Sequence, residues 1–343
     1  MIRTLRPVAA TALLLLLAVF LLPMLLLGRP EGEGPEETGP LPTASLPIQR
    51  PTAQGGAGGD GATLVRVAMP DGTTASLTMA EYLWRVVAAE MPASFEPEAL
   101  RAQAVTARTY TLYQMSIGPN PSHPDADVCT NISCCQAYLA PEEAAARWGA
   151  EAQTWGEKIA RAVSDTDGQA ILYEGKPIDA VFFSSAAGRT LDSVEVWGGS
   201  VPYLASVESP EGEEVPNYHT TVTVPVEEFR TVFLTQHPEA DLSGAPEGWF
   251  RNRVSTSSGG VDTVEVGGVA VKGTALRTLF DLRSANFSVA ADGEKVTFSV
   301  TGYGHGVGMS QYGANAMARA GSGWREILTH YYTGVVIGPW KKT

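Results

Sequence analysis

Basic residues, cysteines and repeats are scarce in this chain, and each scarcity removes a class of function. Lysine and arginine together number 24 against 37 aspartates and glutamates in 343 residues, a formal net charge of −13. That balance suits no phosphate backbone, so nucleic acid is not an expected partner, whereas an uncharged glycan meets no such objection. Only three cysteines occur, Cys129, Cys134 and Cys135, so any single disulfide leaves one thiol over. There is no repeat of fixed period. The glycine-rich run at 302–313 lacks the Lys-Ser/Thr ending of a phosphate loop and does not follow a dinucleotide fingerprint. No Gly-x-Ser-x-Gly elbow is present, which weighs against a Ser/His/Asp hydrolase built from Ser184, Asp192 and His305.

What is present begins with an apolar run. Val8 to Gly28, 21 residues, is long enough to span a hydrocarbon core of roughly 30 Å. Arg3 and Arg6 precede it, which favours a cytoplasmic N-terminus and an extracytoplasmic remainder. The competing reading is a cleaved signal peptide, but no Ala-x-Ala site closes the run, so an uncleaved single-pass anchor over 1–28 is expected. Residues 29–62 are mostly Pro, Gly, Glu, Thr and Ser, a composition that cannot bury enough surface to fold and that predicts a flexible tether.

Beyond the tether, 63–343 reads as one domain. Two strands flank the turn Pro70-Asp71-Gly72, and Thr78 with Glu81 makes a capping box that opens a helix ending at Met91-Pro92. Pro97 opens a second helix, rich in alanine, and Pro141 to Ala162 reads as a third. Strand pairs follow, at 170–174 with 178–184, at 261–271, and at 286–291 with 295–300. Helices are expected at 226–233, 273–282, 310–320 and 324–332. With helices clustered early and strands late, the fold class is α+β.

Three constellations hold chemistry. Glu90 ends the apolar run Val86-Val87-Ala88-Ala89, and apolar walls raise the pKa of a carboxyl group, as a general acid for glycosidic cleavage requires. His123, Cys129 and Cys135 follow the spacing His-x5-Cys-x5-Cys, which serves either a metal site or, outside the cytoplasm, a disulfide from Cys129 to Cys134 or Cys135. Asp125 and Asp127 are alternative ligands. The glycine-rich run projects His305, Ser310, Gln311 and Tyr312 from a tight bend suited to hydroxyl-rich ligands. Ser184 and Ser185 stand in a small polar loop, and Trp155, Trp197 and Tyr203 are the aromatic residues placed to stack on sugar rings.

The segments Val86–Pro92, Ala99–Tyr110, Ser184–Trp197 and Gly302–Ala314 together resemble the stage II sporulation protein D family, over about 63–338. The resemblance implies a lytic transglycosylase that cuts peptide-stripped peptidoglycan strands, with Glu90 as the catalytic acid/base and Arg108 near the site. The expected substrate contacts are Arg108, Ser184, Ser185, His305 and Gln311. The resemblance also implies a structural zinc on His123, Cys129 and Cys135, with Cys134 as an additional thiol able to compete. The implied setting is engulfment during sporulation, on the bacterial cell membrane, with a wall amidase and a membrane protein of the same complex as partners. Non-enzymatic activation of an amidase and a scaffolding role are the alternatives. Many members carry Phe-His-Ser where this chain has Phe183-Ser184-Ser185, so no role of that histidine transfers.

Overall fold

The computed structural model describes residues 59–340. The expected membrane span and most of the tether lie outside them. Among the described residues no helix is long and apolar enough to cross a membrane. The chain runs β1 (Leu64–Ala68), β2 (Thr74–Thr78), α1 (Met79–Glu90), α2 (Pro97–Ile117), β3 (Val128–Cys129), α3 (Pro141–Trp148) and α4 (Ala152–Ser164). It continues through β4 (Gln169–Tyr173), β5 (Lys176–Pro177), β6 (Phe182–Phe183), α5 (Ser193–Trp197), β7 (His219–Pro225) and α6 (Val226–Gln236). Next come β8 (Phe250–Ser255), β9 (Val261–Val266), β10 (Val269–Lys272), α7 (Gly273–Leu279), β11 (Phe287–Ala291) and β12 (Lys295–Thr301). The last elements are β13 (Met309–Ser310), α8 (Gln311–Arg319), α9 (Trp324–Tyr331) and β14 (Val336–Pro339). The class is α+β.

Helices from both ends of the described chain form a cage around α2. Ala99, Ala102, Ala104 and Ala107 are fully buried, and these small side chains let α1, α4, α8 and α9 pack on it from several sides. At the start of α1 the Thr78 hydroxyl accepts the Glu81 N–H at 3.2 Å while the Glu81 carboxylate accepts the Thr78 N–H at 3.0 Å. The helix stops because Met91, preceding Pro92, is extended (φ −125°, ψ 134°). The expected third helix is two helices. Gly149 adopts φ 55° after Trp148, and the chain turns before α4 begins. Trp84, Trp148 and Trp155 make edge contacts across this break, so Trp155 is a packing residue.

The second half contains a separate core. Two three-stranded sheets, β10-β9-β8 and β11-β12-β7, enclose Phe229, Phe233, Phe280 and Phe298 with α6 and α7. Phe229 stacks on Phe280 with centroids 4.7 Å apart. The strand after β5 also departs from expectation. Rather than forming a hairpin with β4, β6 runs parallel to β13, while β4 takes β5 and β14 as neighbours. Pairing with β13 joins the serine loop to the glycine-rich run, which local sequence could not reveal.

Candidate functional site

Glu90 is half-buried as the last residue of α1, with Val87 and Met91, its neighbours along the chain, fully inside the core. Its Oε1 accepts the Ala137 N–H at 2.7 Å, and the Gln311 side-chain amide lies 3.5 Å from Oε2, the outer limit of a hydrogen bond. Burial holds its pKa above the ordinary carboxylic-acid value, and these two donors only partly offset that. The turn after Glu90 is fixed by Lys158, whose ammonium donates to the carbonyls of Ala93 and Phe95 at 2.9 and 2.5 Å. Phe95 meets Tyr312 edge-on at 4.9 Å, bringing the start of α8 to the Glu90 end of α1.

Gln311 is placed by its neighbour. Ser310 caps α8, accepting the Gly313 N–H at 3.2 Å, and its hydroxyl donates to Glu211. Glu211 is buried and hydrogen-bonded at both oxygens. It also accepts the Ala186 N–H and the Ser209 hydroxyl, each at 2.6 Å, and Ser209 is in turn 2.7 Å from the Tyr331 hydroxyl. Sequence reasoning missed Glu211, which sits in the polar stretch 208–214 with no periodic or motif signal.

The glycine-rich run has a steric reason. Gly302, Gly304, Gly306 and Gly308 all have positive φ. A Cβ on Gly304 would lie 2.6 Å from the Phe183 Cβ, and one on Gly308 would lie 2.1 Å from the Val181 carbonyl. The run is therefore threaded against 181–191, and Ser184 and Ser185 serve it through their main chain. The Ser184 carbonyl accepts the Tyr312 N–H at 3.0 Å, and Ser185 exchanges two backbone hydrogen bonds with Tyr303 at 3.0 and 2.9 Å.

His305 and Arg108 do not stand as expected. The His305 Nε2–H donates to the Phe182 carbonyl at 3.0 Å and Nδ1 accepts the Val307 N–H at 3.2 Å. Burial lowers its pKa to about 4. Both ring nitrogens are spent on the fold, so it offers a neutral ring face rather than a hydroxyl-binding nitrogen. Arg108 is 1% exposed. It faces Asp60, with Nε 2.8 Å from Oδ1 and Nη2 2.5 Å from Oδ2, and also donates to the carbonyls of Gln169 and Val163. Its guanidinium locks residue 60 onto the middle of α2, the end of α4 and the start of β4, so the substrate role is corrected to a structural one. Asp60 belongs to the stretch expected to be tether; the fold already includes Gly59–Ala62.

His123, Cys129, Cys134 and Cys135 converge, with one donor atom from each lying within 4.8 Å of the others. All three cysteines are free thiols here, which leaves each sulfur available as a ligand. The His123 Nδ1 faces the Ala126 carbonyl at 3.2 Å, which leaves Nε2 turned toward the Cys135 sulfur at 3.4 Å. Burial pushes the Cys135 thiol up to about 12, and a dication is the ordinary means of holding such crowded thiols as thiolates. Three sulfurs and one imidazole fit a closed tetrahedral zinc set, in which sulfurs stand about 3.8 Å apart. Cys134 thus joins the three ligands expected from spacing, while Asp127 is taken by Arg66 at 2.7 Å. The cluster bears on Glu90 directly: two residues after Cys135 comes Ala137, the N–H that holds the carboxylate.

A family model described as stage II sporulation protein matches residues 72–173, which include Glu90 and the His/Cys cluster. Stage II sporulation protein D of Bacillus amyloliquefaciens is 37% identical over 76% of this chain and 74% of its own length. Its counterpart in Bacillus subtilis (strain 168) is 36% identical over 76% and 75%. An amidase enhancer of the same strain is 29% identical over 74% of this chain but 39% of its own length. With a relative matched at that identity along three quarters of both chains, this chain belongs to the stage II sporulation protein D family.

Proposed function

We propose that this chain is a membrane-anchored lytic transglycosylase that acts on peptidoglycan glycan strands during sporulation. The observation that carries it is Glu90: one half-buried carboxyl with a raised pKa, held by a backbone N–H and faced by Gln311. Membership of a sporulation family supports a role at the cell wall in that process.

The chemistry needs one such carboxyl. Protonated Glu90 gives its proton to the oxygen between N-acetylmuramic acid and N-acetylglucosamine, and positive charge develops at muramyl C1. The carboxylate then takes the proton of the muramyl C6 hydroxyl, whose oxygen bonds to C1. A 1,6-anhydromuramyl end forms and no water is consumed, so a second carboxylate to activate water is unnecessary. The Ala137 N–H fixes the carboxylate in both protonation states, and Gln311 steadies its outer oxygen. His123, Cys129, Cys134 and Cys135 would hold zinc, which would supply structural order to the loop that presents Ala137. Bound zinc in elemental analysis, and a melting temperature lowered by chelation and restored by zinc, check this assignment.

The expected span over 8–28 would anchor the chain with its N-terminus in the cytoplasm and the glycan-cutting domain outside, on a tether. The proposed partners are a wall amidase, which strips stem peptides, and a membrane protein of the engulfment complex. The similarity to an amidase enhancer supports a second reading, in which the domain binds glycan and stimulates an amidase without cutting.

Mass spectrometry of products from the full chain and its Glu90→Gln variant on peptide-free glycan separates these readings. Anhydromuramyl ends from the native chain alone are expected. Reducing ends would mark a hydrolase with another catalytic group, and no products together with undiminished amidase stimulation by Glu90→Gln would favour the activator.

A further inference from the structure

Two arginines beside the glycine-rich run have no acidic partner, in a chain where acids outnumber bases 37 to 24. Arg283 stacks on the Tyr303 ring with its guanidinium carbon 3.9 Å from the centroid, and its buried Nε has no hydrogen-bond partner. Arg277, half-buried on α7, donates only its Nε–H, to the Leu282 carbonyl at 3.3 Å. Neither makes an ion pair among the described residues. Asp281 acts on Arg277 electrostatically but stays outside pairing distance, and burial lowers the Arg277 pKa.

The two cations converge on one place. Arg283 covers the Tyr303 ring and its carbonyl accepts the Gly304 N–H at 2.9 Å, while Arg277 is held to the adjacent Leu282 by the Leu282 N–H at 2.9 Å and by its own Nε–H at 3.3 Å. Trp197, 50% exposed, lies against His305 with centroids 5.6 Å apart, and Tyr303 is 44% exposed. Unpaired guanidinium donors call for an anion with planar acceptors, and open aromatic faces beside them suit the apolar face of a sugar ring. His305, neutral with both nitrogens committed, serves as a ring that supports Trp197 and adds no charge to compete. Tyr303 and Gln311 are eight residues apart on one segment, so the patch lies at most about 29 Å along the chain from the group that faces Glu90. A polymeric substrate can occupy both.

We propose that Arg277, Arg283, Tyr303 and Trp197 form a subsite for a carboxylate-bearing sugar of the glycan strand, remote from the bond that breaks. This rests on the peptidoglycan reading above. A muramyl residue whose stem peptide has been hydrolysed carries a free lactyl carboxylate, while one still bearing its peptide has an uncharged amide there. The subsite takes the free acid and so determines which stretches of glycan the enzyme holds.

The test uses the full chain with Glu90→Gln, so that glycan is not consumed. Binding is measured calorimetrically for peptide-free glycan oligosaccharides and for the same oligosaccharides with every carboxyl converted to the methylamide. The free acids should bind about tenfold more tightly, and Arg277→Gln or Arg283→Gln should remove that preference while leaving methylamide binding nearly unchanged. Trp197→Ala should weaken both ligands alike. Arg283→Lys keeps the charge but not the planar stack; if its fold is intact, it should retain only part of the preference. Equal binding of acid and methylamide by the parent chain overturns the subsite, as does equal loss of both in the arginine variants. So does stronger binding of a glycerol-phosphate polymer that the same variants abolish, since the patch would then serve another wall polymer. If the native chain neither binds nor cuts either glycan, the peptidoglycan reading itself falls. If it cuts both equally, only the subsite does.

Discussion

Ser310 and Gln311 are consecutive, yet their side chains face two different glutamates. Ser310 donates to Glu211, and Gln311 faces Glu90. The surroundings of the two carboxylates differ in one respect that decides their use. Glu211 has donors on both oxygens, from Ala186, Ser310 and Ser209. Glu90 has one short hydrogen bond and one at the limit, and its burial keeps it inclined to hold a proton. A buried carboxylate held by three short hydrogen bonds is an element of structure; one held by a single short hydrogen bond is available for proton transfer.

The largest effect should separate them outright. Glu90→Gln should reduce glycan cleavage on the order of 10³-fold or more. The same variant should unfold at a higher temperature than the native chain at neutral pH. The sign follows from the raised folded-state pKa. The favourable contribution of the Glu90 side chain is fully present below its ordinary value of 4.5 and is lost as pH rises through the folded value. The gap in melting temperature should therefore close on acidification. A Glu90→Gln variant that is less stable at neutral pH would place Glu90 with Glu211.

Next in size is the ion pair that took Arg108 away from the site. Asp60→Ala leaves a guanidinium buried without its partner and should cost about 3–5 kcal/mol in denaturant unfolding. The KM for glycan should not change at temperatures where the variant is folded. A rise in KM with unaltered stability would return Arg108 to the substrate.

Arg108 also shows where sequence stopped being informative. The capping box at Thr78, the stop at Pro92 and the alanine face of α2 depend on neighbours within a few residues, so they could be read directly. The metal spacing was legible for the same reason, although Cys134 joins the set only because the turn Asn131–Cys135 folds back, with the Cys134 and Cys135 N–H groups both bonded to the Asn131 carbonyl. What stayed hidden was long-range. Asp60 is 48 residues from Arg108 inside a glycine-rich stretch, and Glu211 is 99 residues from Ser310. The β6–β13 pairing, which presses Phe182 and Phe183 against the glycine run, spans a similar distance and encloses the whole aromatic subdomain. Composition and period carry no record of such partners.

Glu211→Gln should be milder than Asp60→Ala, at roughly 1–3 kcal/mol, because one oxygen keeps its donors while the new amide meets the Ser209 hydroxyl. Its effect on cleavage would pass through Ser310 and the start of α8. A lower kcat with an unshifted pH profile is expected, since Glu211 does not touch Glu90. Thermal unfolding and a pH–rate series on one preparation check both parts.

The smallest effect is the sharpest test of the Glu90 surroundings. The Gln311 amide lowers the Glu90 pKa, against the dominant upward push of burial. Gln311→Met keeps the side-chain length but removes the donor, so the Glu90 pKa should rise further. With Glu90 acting first as an acid, as proposed, cleavage should fall as pH climbs through that pKa, and the alkaline limb of kcat/KM should move to higher pH in the variant. A limb that moves to lower pH, or not at all, would mean that the 3.5 Å approach is no hydrogen bond in the working enzyme and that the Ala137 N–H alone tunes the acid.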